Sequence, residues 1–394
     1  MKAVACGWVS MPSSNTSYGS TRRQWLQSTA ALAGLMLSGV APASSQPLQI
    51  TDLRGRTVRL PKPAQRMVLG ATDDFVLLSM LDKQPARNVV AWNKWRLDAQ
   101  SLLMLRGPDT KAFDHMAQLA IDGPQSLHAE SLIALEPDLI VLDAFYAKAT
   151  QTVARLEKAG IPVAVLEINP DLRQPQPTQG LIQFGILTGH EARAREVASF
   201  IEQRVHRIRE GVQRLKSRGA PEPLVLMEPH AGSAPCCLSM GNGKNLGDMV
   251  RMAGGRLMGG ELIAGMAGTL STEYVIDQDP EIYIGTGGGH LKARNGLLLG
   301  PGVSTSQAHS SLQHVIQRTG LSHTRAIRNR RVHGIWHGGL GIVNLECIAS
   351  WLHPEEFADV RPQATLDALN QRFLAFPWQG TFWTSLQATA APLP

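Results

Sequence analysis

Cysteine is nearly absent from this chain, with four in 394 residues. Cys6 lies near the start, which leaves Cys236, Cys237 and Cys347, too few for a disulfide framework. No C-x-x-C pair occurs, so a zinc ribbon and a dithiol redox motif are both excluded. Three states stay open: a vicinal Cys236–Cys237 bridge, a bridge from one of these to Cys347, or no bridge, with small buried residues in a loop. Long apolar runs are also missing. The segment Ala30 to Val40 falls well short of the about 20 residues that span a bilayer, and no stable membrane insertion is expected. Lysine-rich runs and basic stripes interleaved with aromatics are lacking as well. Lysine and arginine number 38 against 32 acidic residues. That modest surplus argues against a nucleic-acid partner.

Acidic residues are absent from the first 43 positions, where Ser20-Thr21-Arg22-Arg23-Gln24-Trp25-Leu26 precedes the weak apolar run and Ala41-Pro42-Ala43 closes it. Paired arginines, a short apolar segment and a small-x-small end read as a twin-arginine export leader over residues 1–43. The mature chain is then expected in the periplasm. Cys6 lies upstream of the arginines, so no lipid anchor is expected at the cleavage point. Without Lys2, Arg22 and Arg23, 35 basic residues face 32 acidic ones. The remaining length of about 350 residues suits two lobes better than one core.

Ile50 to Leu60 alternates around a Gly-containing turn and predicts an opening hairpin. Short apolar runs then alternate with helical patterns: Met67 to Leu69, Val89 to Ala91, Leu139 to Leu142 and Val163 to Leu166. The alternation returns at Leu224 to Met227, Ile282 to Ile284 and Arg331 to Ile335. Such alternation predicts parallel βαβ units in two α/β lobes. They are assigned to residues 48–178 and 218–394, the latter with a helical tail. Between them a Pro- and Gln-rich stretch leads into residues 180–217, whose apolar spacing predicts one long connecting helix, bent near Gly185 and Gly189.

An internal echo links the halves. Glu130 precedes Pro137 by the same interval as Glu273 precedes Pro280, and an apolar strand follows each proline. Two such matches in similar places suggest pseudo-symmetric halves.

With the leader, the opening Ile-Thr-Asp-x-x-Gly-Arg pattern, Leu135-Glu136-Pro137-Asp138-Leu139-Ile140, the long helix, Gly247-Asp248-Met249-Val250 and Ala253-Gly254-Gly255, the chain resembles a known family. These features, in this order, resemble the periplasmic substrate-binding proteins of ABC importers for iron complexes and vitamin B12. The segment Val332 to His337 and the tail from Phe373 to Trp383 look like a siderophore-type branch. The resemblance implies a class III periplasmic binding protein, with two Rossmann-like lobes joined by a single long interdomain helix and a ligand in the cleft. It also implies an ABC permease as partner, a monomer, no cofactor and no catalysis. In that family, glutamates placed like Glu130 and Glu273 dock on basic residues of the permease. The alternative is that each merely favours the N-terminus of its helix.

Ligands of open α/β sheets bind beyond the carboxyl ends of the strands. The loops there present Thr72, Trp92, Trp95, Arg96, Tyr146, His230, His290, Arg294, Trp336 and His337. Trp92 and Trp95 are candidates to stack on a planar chelate, with Arg96 and Arg294 bonding its oxygens. Tyr146 and the three histidines are candidates to meet the metal or a chelate oxygen; for each, a structural role is the alternative. The run Thr286-Gly287-Gly288-Gly289 resembles an anion cradle but lacks nucleotide-binding spacing. Lone Lys244 is weak evidence for phosphate. The inventory points to a ferric siderophore or related iron complex. Haem or a corrinoid is the rival ligand. A secreted metal-dependent enzyme using Glu228, His230 and His337 is the rival of another class, and an extracytoplasmic sensor or scaffold a third.

Overall fold

A computed structural model describes residues 47–94, 97–107, 110–242, 246–338 and 340–386. The leader with Arg22 and Arg23, together with Trp95, Arg96 and Lys244, lies outside the described residues. The opening hairpin forms from β1 (Leu48–Thr51) and β2 (Thr57–Leu60). Then follow β3 (Met67–Leu69), α1 (Asp74–Leu81), β4 (Val89–Asn93), α2 (Ala99–Arg106), α3 (Thr110–His115) and β5 (Ala117–Leu119). The first lobe continues with α4 (Ala129–Ile133), β6 (Leu139–Leu142), α5 (Thr150–Lys158) and β7 (Val163–Val165). Strands β3 to β7 make a parallel sheet in the order β5-β4-β3-β6-β7. Its inner strands β3 and β6 are buried along their whole length, as a parallel sheet covered on both faces requires.

The connecting segment is two helices, α6 (Gln179–Thr188) and α7 (Glu191–Ser217). Gly189 between them takes a left-handed φ of 75°, a conformation that glycine adopts without a Cβ clash. The bend expected near the start of the helix is thus a break. The 27 residues of α7 extend about 40 Å. Its buried positions Val197, Ile201, Val205, Ile208, Val212 and Leu215 form one apolar stripe at helical spacing.

The second lobe opens with β8 (Leu224–Glu228), β9 (Leu238–Met240), α8 (Gly247–Met252), β10 (Arg256–Leu257), β11 (Ala267–Thr269) and α9 (Thr272–Gln278). Next come β12 (Ile282–Gly287), β13 (Gly300–Pro301), α10 (Thr305–Val315), α11 (Arg325–Arg328) and β14 (Val332–Trp336). It ends with α12 (Gly341–Leu352), α13 (Pro362–Ala368), β15 (Gly380–Thr381) and β16 (Trp383–Ser385). The sheet order is β10-β8-β12-β14-β16, parallel except for the antiparallel edge strand β16.

One apolar cluster runs from Leu69 and Leu139 of the first sheet through α7 to Ile284 of the second. The tail adds a second tie. After α13 the chain crosses to α1, where the Ala375 amide donates to the Ser79 carbonyl at 2.9 Å. Lys83 Nζ donates to the Phe373 and Leu374 carbonyls at 3.0 and 2.9 Å. The chain then returns to the second sheet as β16. Of the open cysteine pairings the structure has the vicinal Cys236–Cys237 bridge, with Cys347 a buried free thiol.

Candidate functional site

Strands β8, β12 and β14 are adjacent in the second sheet and parallel, so their carboxyl ends open side by side. In register, Gly285 of β12 stands level with Glu228 of β8, and Gly287 with Trp336 of β14. Neighbouring strands lie about 4.8 Å apart. Side chains just beyond those ends must therefore crowd together. The crowded residues are His230, His290 and His337.

Their ring centres lie 5.3 Å apart for His230–His290, 5.3 Å for His230–His337 and 4.8 Å for His290–His337. His290 Nε2 is 3.3 Å from His230 Nδ1. His230 holds a left-handed φ of 49°, and its amide donates to Thr286 Oγ1 at 3.0 Å. Gly288 makes room for the cluster. A Cβ there would collide with His337 Cε1 and stand 2.8 Å from the His290 ring. The glycine run that resembles an anion cradle thus serves to admit imidazoles.

His337 Nδ1 donates to the Gly287 carbonyl at 2.5 Å, which leaves Nε2 as the nitrogen without a proton. Burial lowers the His337 pKa to about 4, and the His290 and His230 rings push it the same way. The ring is therefore neutral at pH 7. The first lobe contributes Asp98, whose charge opposes that lowering and whose carboxylate is packed over Gly289. Asp98 also caps α2, accepting from the Ser101 amide at 2.8 Å. The Asp-x-x-Ser spacing signals the cap; nothing in the sequence signals the meeting with Gly289.

Beneath His230 lies a saturated carboxylate. Glu228 accepts from Arg318 through both oxygens, at 2.9 and 2.5 Å, and from the Tyr283 hydroxyl at 2.5 Å. Burial, then the neighbouring Glu228 charge, raises the Tyr283 pKa, so the phenol stays protonated. Glu228 is 2% exposed, which removes it as the base that a hydrolytic reading needs.

Three of the candidate contacts are core residues instead. Trp92 is fully buried, its ring 5.2 Å from Phe75 and 5.6 Å from Phe113, so neither face is open to a ligand. Trp336 is buried against Trp378 and Phe382 at 5.2 and 5.3 Å. Tyr146 is buried, and its hydroxyl donates to the Ile121 carbonyl at 3.1 Å and receives Asn93 Nδ2 at 3.3 Å. Strand-end aromatics turned inward because both faces of each sheet are covered. Thr72 is half-buried before α1, and Arg294 is exposed at the end of the 3₁₀ turn that carries His290.

The first sheet's carboxyl edge is acidic. Asp73, Asp74, Asp143 and Glu167 gather there, and burial followed by the charges of the other three raises the Asp74 pKa well above the usual carboxylate range. A cavity of about 260 Å³ lies between Glu167 and Asn169 on one side and Asp248 and Met249 of α8 on the other. None of the three histidines lines it. Glu130 and Glu273 are each the second residue of a short helix, α4 and α9, and both are exposed. Glu130 carries a surface ion pair with Arg155 at 3.0 Å.

Residues 72–335 match a family profile described as periplasmic binding protein. Among solved structures, the chain is similar to the TroA-like periplasmic binding protein FepB from Veillonella parvula. Identity is 25% and the TM-score 0.76, over 86% of this chain and all of that one. A periplasmic solute binding protein from the same organism is 14% identical with a TM-score of 0.62, over 84% and 94% of the two chains. The molybdate-bound periplasmic protein MolA from Haemophilus influenzae is 16% identical with a TM-score of 0.59, over 84% and 99%. The last two show the fold alone. No curated protein sequence matches this chain.

Proposed function

The chain belongs to the periplasmic binding protein family, and from that membership we propose that it captures a ferric siderophore or related iron complex and hands it to an ABC permease. As a periplasmic binding protein of the ABC transporters it acts by holding a ligand, and no covalent step is required. The observation that supports an iron complex is the gathering of His230, His290 and His337 at three adjacent strand ends, opposite Asp98 of the first lobe. Imidazole nitrogens can fill coordination positions that a chelate leaves open. Arg294, exposed beyond His290, is assigned to bond a chelate oxygen.

The other half of the proposal concerns delivery. Glu130 and Glu273 stand at equivalent exposed places, one per lobe, and are assigned to docking on basic residues of the permease. A monomer offers both to one transporter at once.

Fluorescence titration of the purified protein with hydroxamate and catecholate ferric siderophores, haem and cobalamin tests the ligand. Saturable quenching by a ferric siderophore at micromolar concentration or below is the expected result. Saturation by haem or cobalamin alone overturns the siderophore assignment in favour of that ligand. No response to any of them overturns iron-complex capture.

A further inference from the structure

The geometry of the three histidines carries further than contact with a chelate. We propose that His230, His290 and His337 form a metal-binding site that takes a divalent late transition-metal ion, cobalt to zinc in the first row, directly through imidazole nitrogens. The inference rests on the capture reading, because it makes the same cleft the place where the metal is held.

One nitrogen pair already stands at the spacing one ion imposes, and the third ring lies close by. With metal–nitrogen bonds of about 2.0–2.1 Å, two nitrogens in tetrahedral positions stand about 3.3 Å apart and their ring centres about 5 Å apart. His290 Nε2 and His230 Nδ1 are 3.3 Å apart, and the three centre separations run from 4.8 to 5.3 Å. A bare hydrogen bond accounts for the first figure but gives no reason for a third ring within 5.3 Å of both. His337 also has the support expected of a ligand. A metal-bound histidine characteristically donates its other ring N–H to a carbonyl or carboxylate, which fixes the tautomer; His337 Nδ1 does so to Gly287. Nε2 is then the donor. Gly288 admits this crowding, since any side chain there would occupy the space between His337 and His290.

Chemistry selects the class of ion. Three imidazoles with no thiolate suit borderline ions and not copper(I), and the scarcity of oxygen donors disfavours calcium and magnesium. Asp98 brings one carboxylate from the opposite lobe, which offsets the charge of a bound cation without making an oxygen cage. Among the described residues no three donors already focus on one centre. Binding therefore includes a side-chain rotation, which the exposed ring of His290 leaves open.

The test uses the mature chain without a polyhistidine tag, freed of metal by chelator and titrated with cobalt(II), nickel(II) and zinc(II). One ion per chain is expected by calorimetry, with visible cobalt absorption of a nitrogen-ligated site. His290→Ala should weaken binding at least tenfold, and His230→Ala with His290→Ala at least a hundredfold. His206→Ala on α7, where the ring faces Glu210 at the surface, should change nothing. Melting temperatures measured with chelator present confirm that the variants fold, since neither ring belongs to the core. Absence of binding by the parent chain, or equal binding by the double variant, overturns the site. The capture reading is scored separately: ferric siderophore binding without cobalt binding overturns only the metal site, and cobalt binding without siderophore binding overturns only the siderophore assignment.

Discussion

Glu136 and Asp279 hold the same left-handed backbone conformation, with φ of 48° and 43°. Each directly precedes a proline, and each proline leads into a central strand of its sheet, β6 or β12. A non-glycine residue seldom adopts this conformation. Its recurrence extends the echo seen in the sequence to the backbone, from a glutamate at the second helical position through a left-handed turn to a buried strand. The two lobes thus share one helix–turn–strand unit.

Uptake should depend on both exposed glutamates. Glu130→Ala with Glu273→Ala is expected to abolish transport in cells while leaving ligand affinity within about twofold. Each glutamate also favours its helix N-terminus by about 0.3–1 kcal/mol, so a small loss of stability accompanies the change. Normal transport by a stable double variant removes the docking assignment.

Trp92 should prove a stability residue. Its fully buried ring packs against both Phe75 and Phe113, so Trp92→Ala is expected to cost about 3–5 kcal/mol in urea unfolding. Ligand affinity measured where the variant is still folded should stay within twofold. A large affinity loss with stability intact would restore the stacking role.

Acid should destabilise the protein through His333. The ring is fully buried, stacked on Trp351 with centres 4.3 Å apart, and its Nδ1 is 2.7 Å from Ser385 Oγ. Burial, aided by the Arg331 charge, lowers its pKa to about 3. Between that value and the ordinary 6.5 the unfolded chain binds the proton and the folded chain does not, so stability falls as pH falls, by up to about 1.4 kcal/mol per pH unit. From pH 6.5 to 5 the loss amounts to about 2 kcal/mol. In His333→Phe this part of the slope should vanish, as urea unfolding at pH 7 and pH 5 will show. An unchanged slope would mean that other groups carry it.

The strands most visible in the sequence were those buried on both faces, such as Leu139 to Leu142, because an unbroken apolar run of that length has few other uses. Edge strand β16 was hidden, since Trp383–Ser385 is short and half-buried and its pairing depends on the tail's return. The histidines were visible one by one. Their meeting followed from the adjacency of β8, β12 and β14, which strand signals alone do not order. Trp92 misled for a related reason: its place at a strand end was legible, whereas its direction into the core depended on Phe75 and Phe113.

The tail excursion should make the two lobes unfold together. Phe376 stacks on Phe75 of α1 with ring centres 6.3 Å apart, and Lys83 satisfies two carbonyls of the crossing segment. Those carbonyls come from a chain that begins and ends in the second lobe, so breaking the contact weakens the tie between lobes more than either sheet. Phe376→Ala should cost about 3–5 kcal/mol, and Lys83→Ala about 1–3 kcal/mol for the carbonyls left without a donor. Calorimetry of the parent protein should give one cooperative transition, whereas the double variant should broaden or split it, the first-lobe helices losing amide protection before β12 and β14. A double variant with a single sharp transition, merely shifted down, would show that the apolar cluster around α7 couples the lobes without help from the tail.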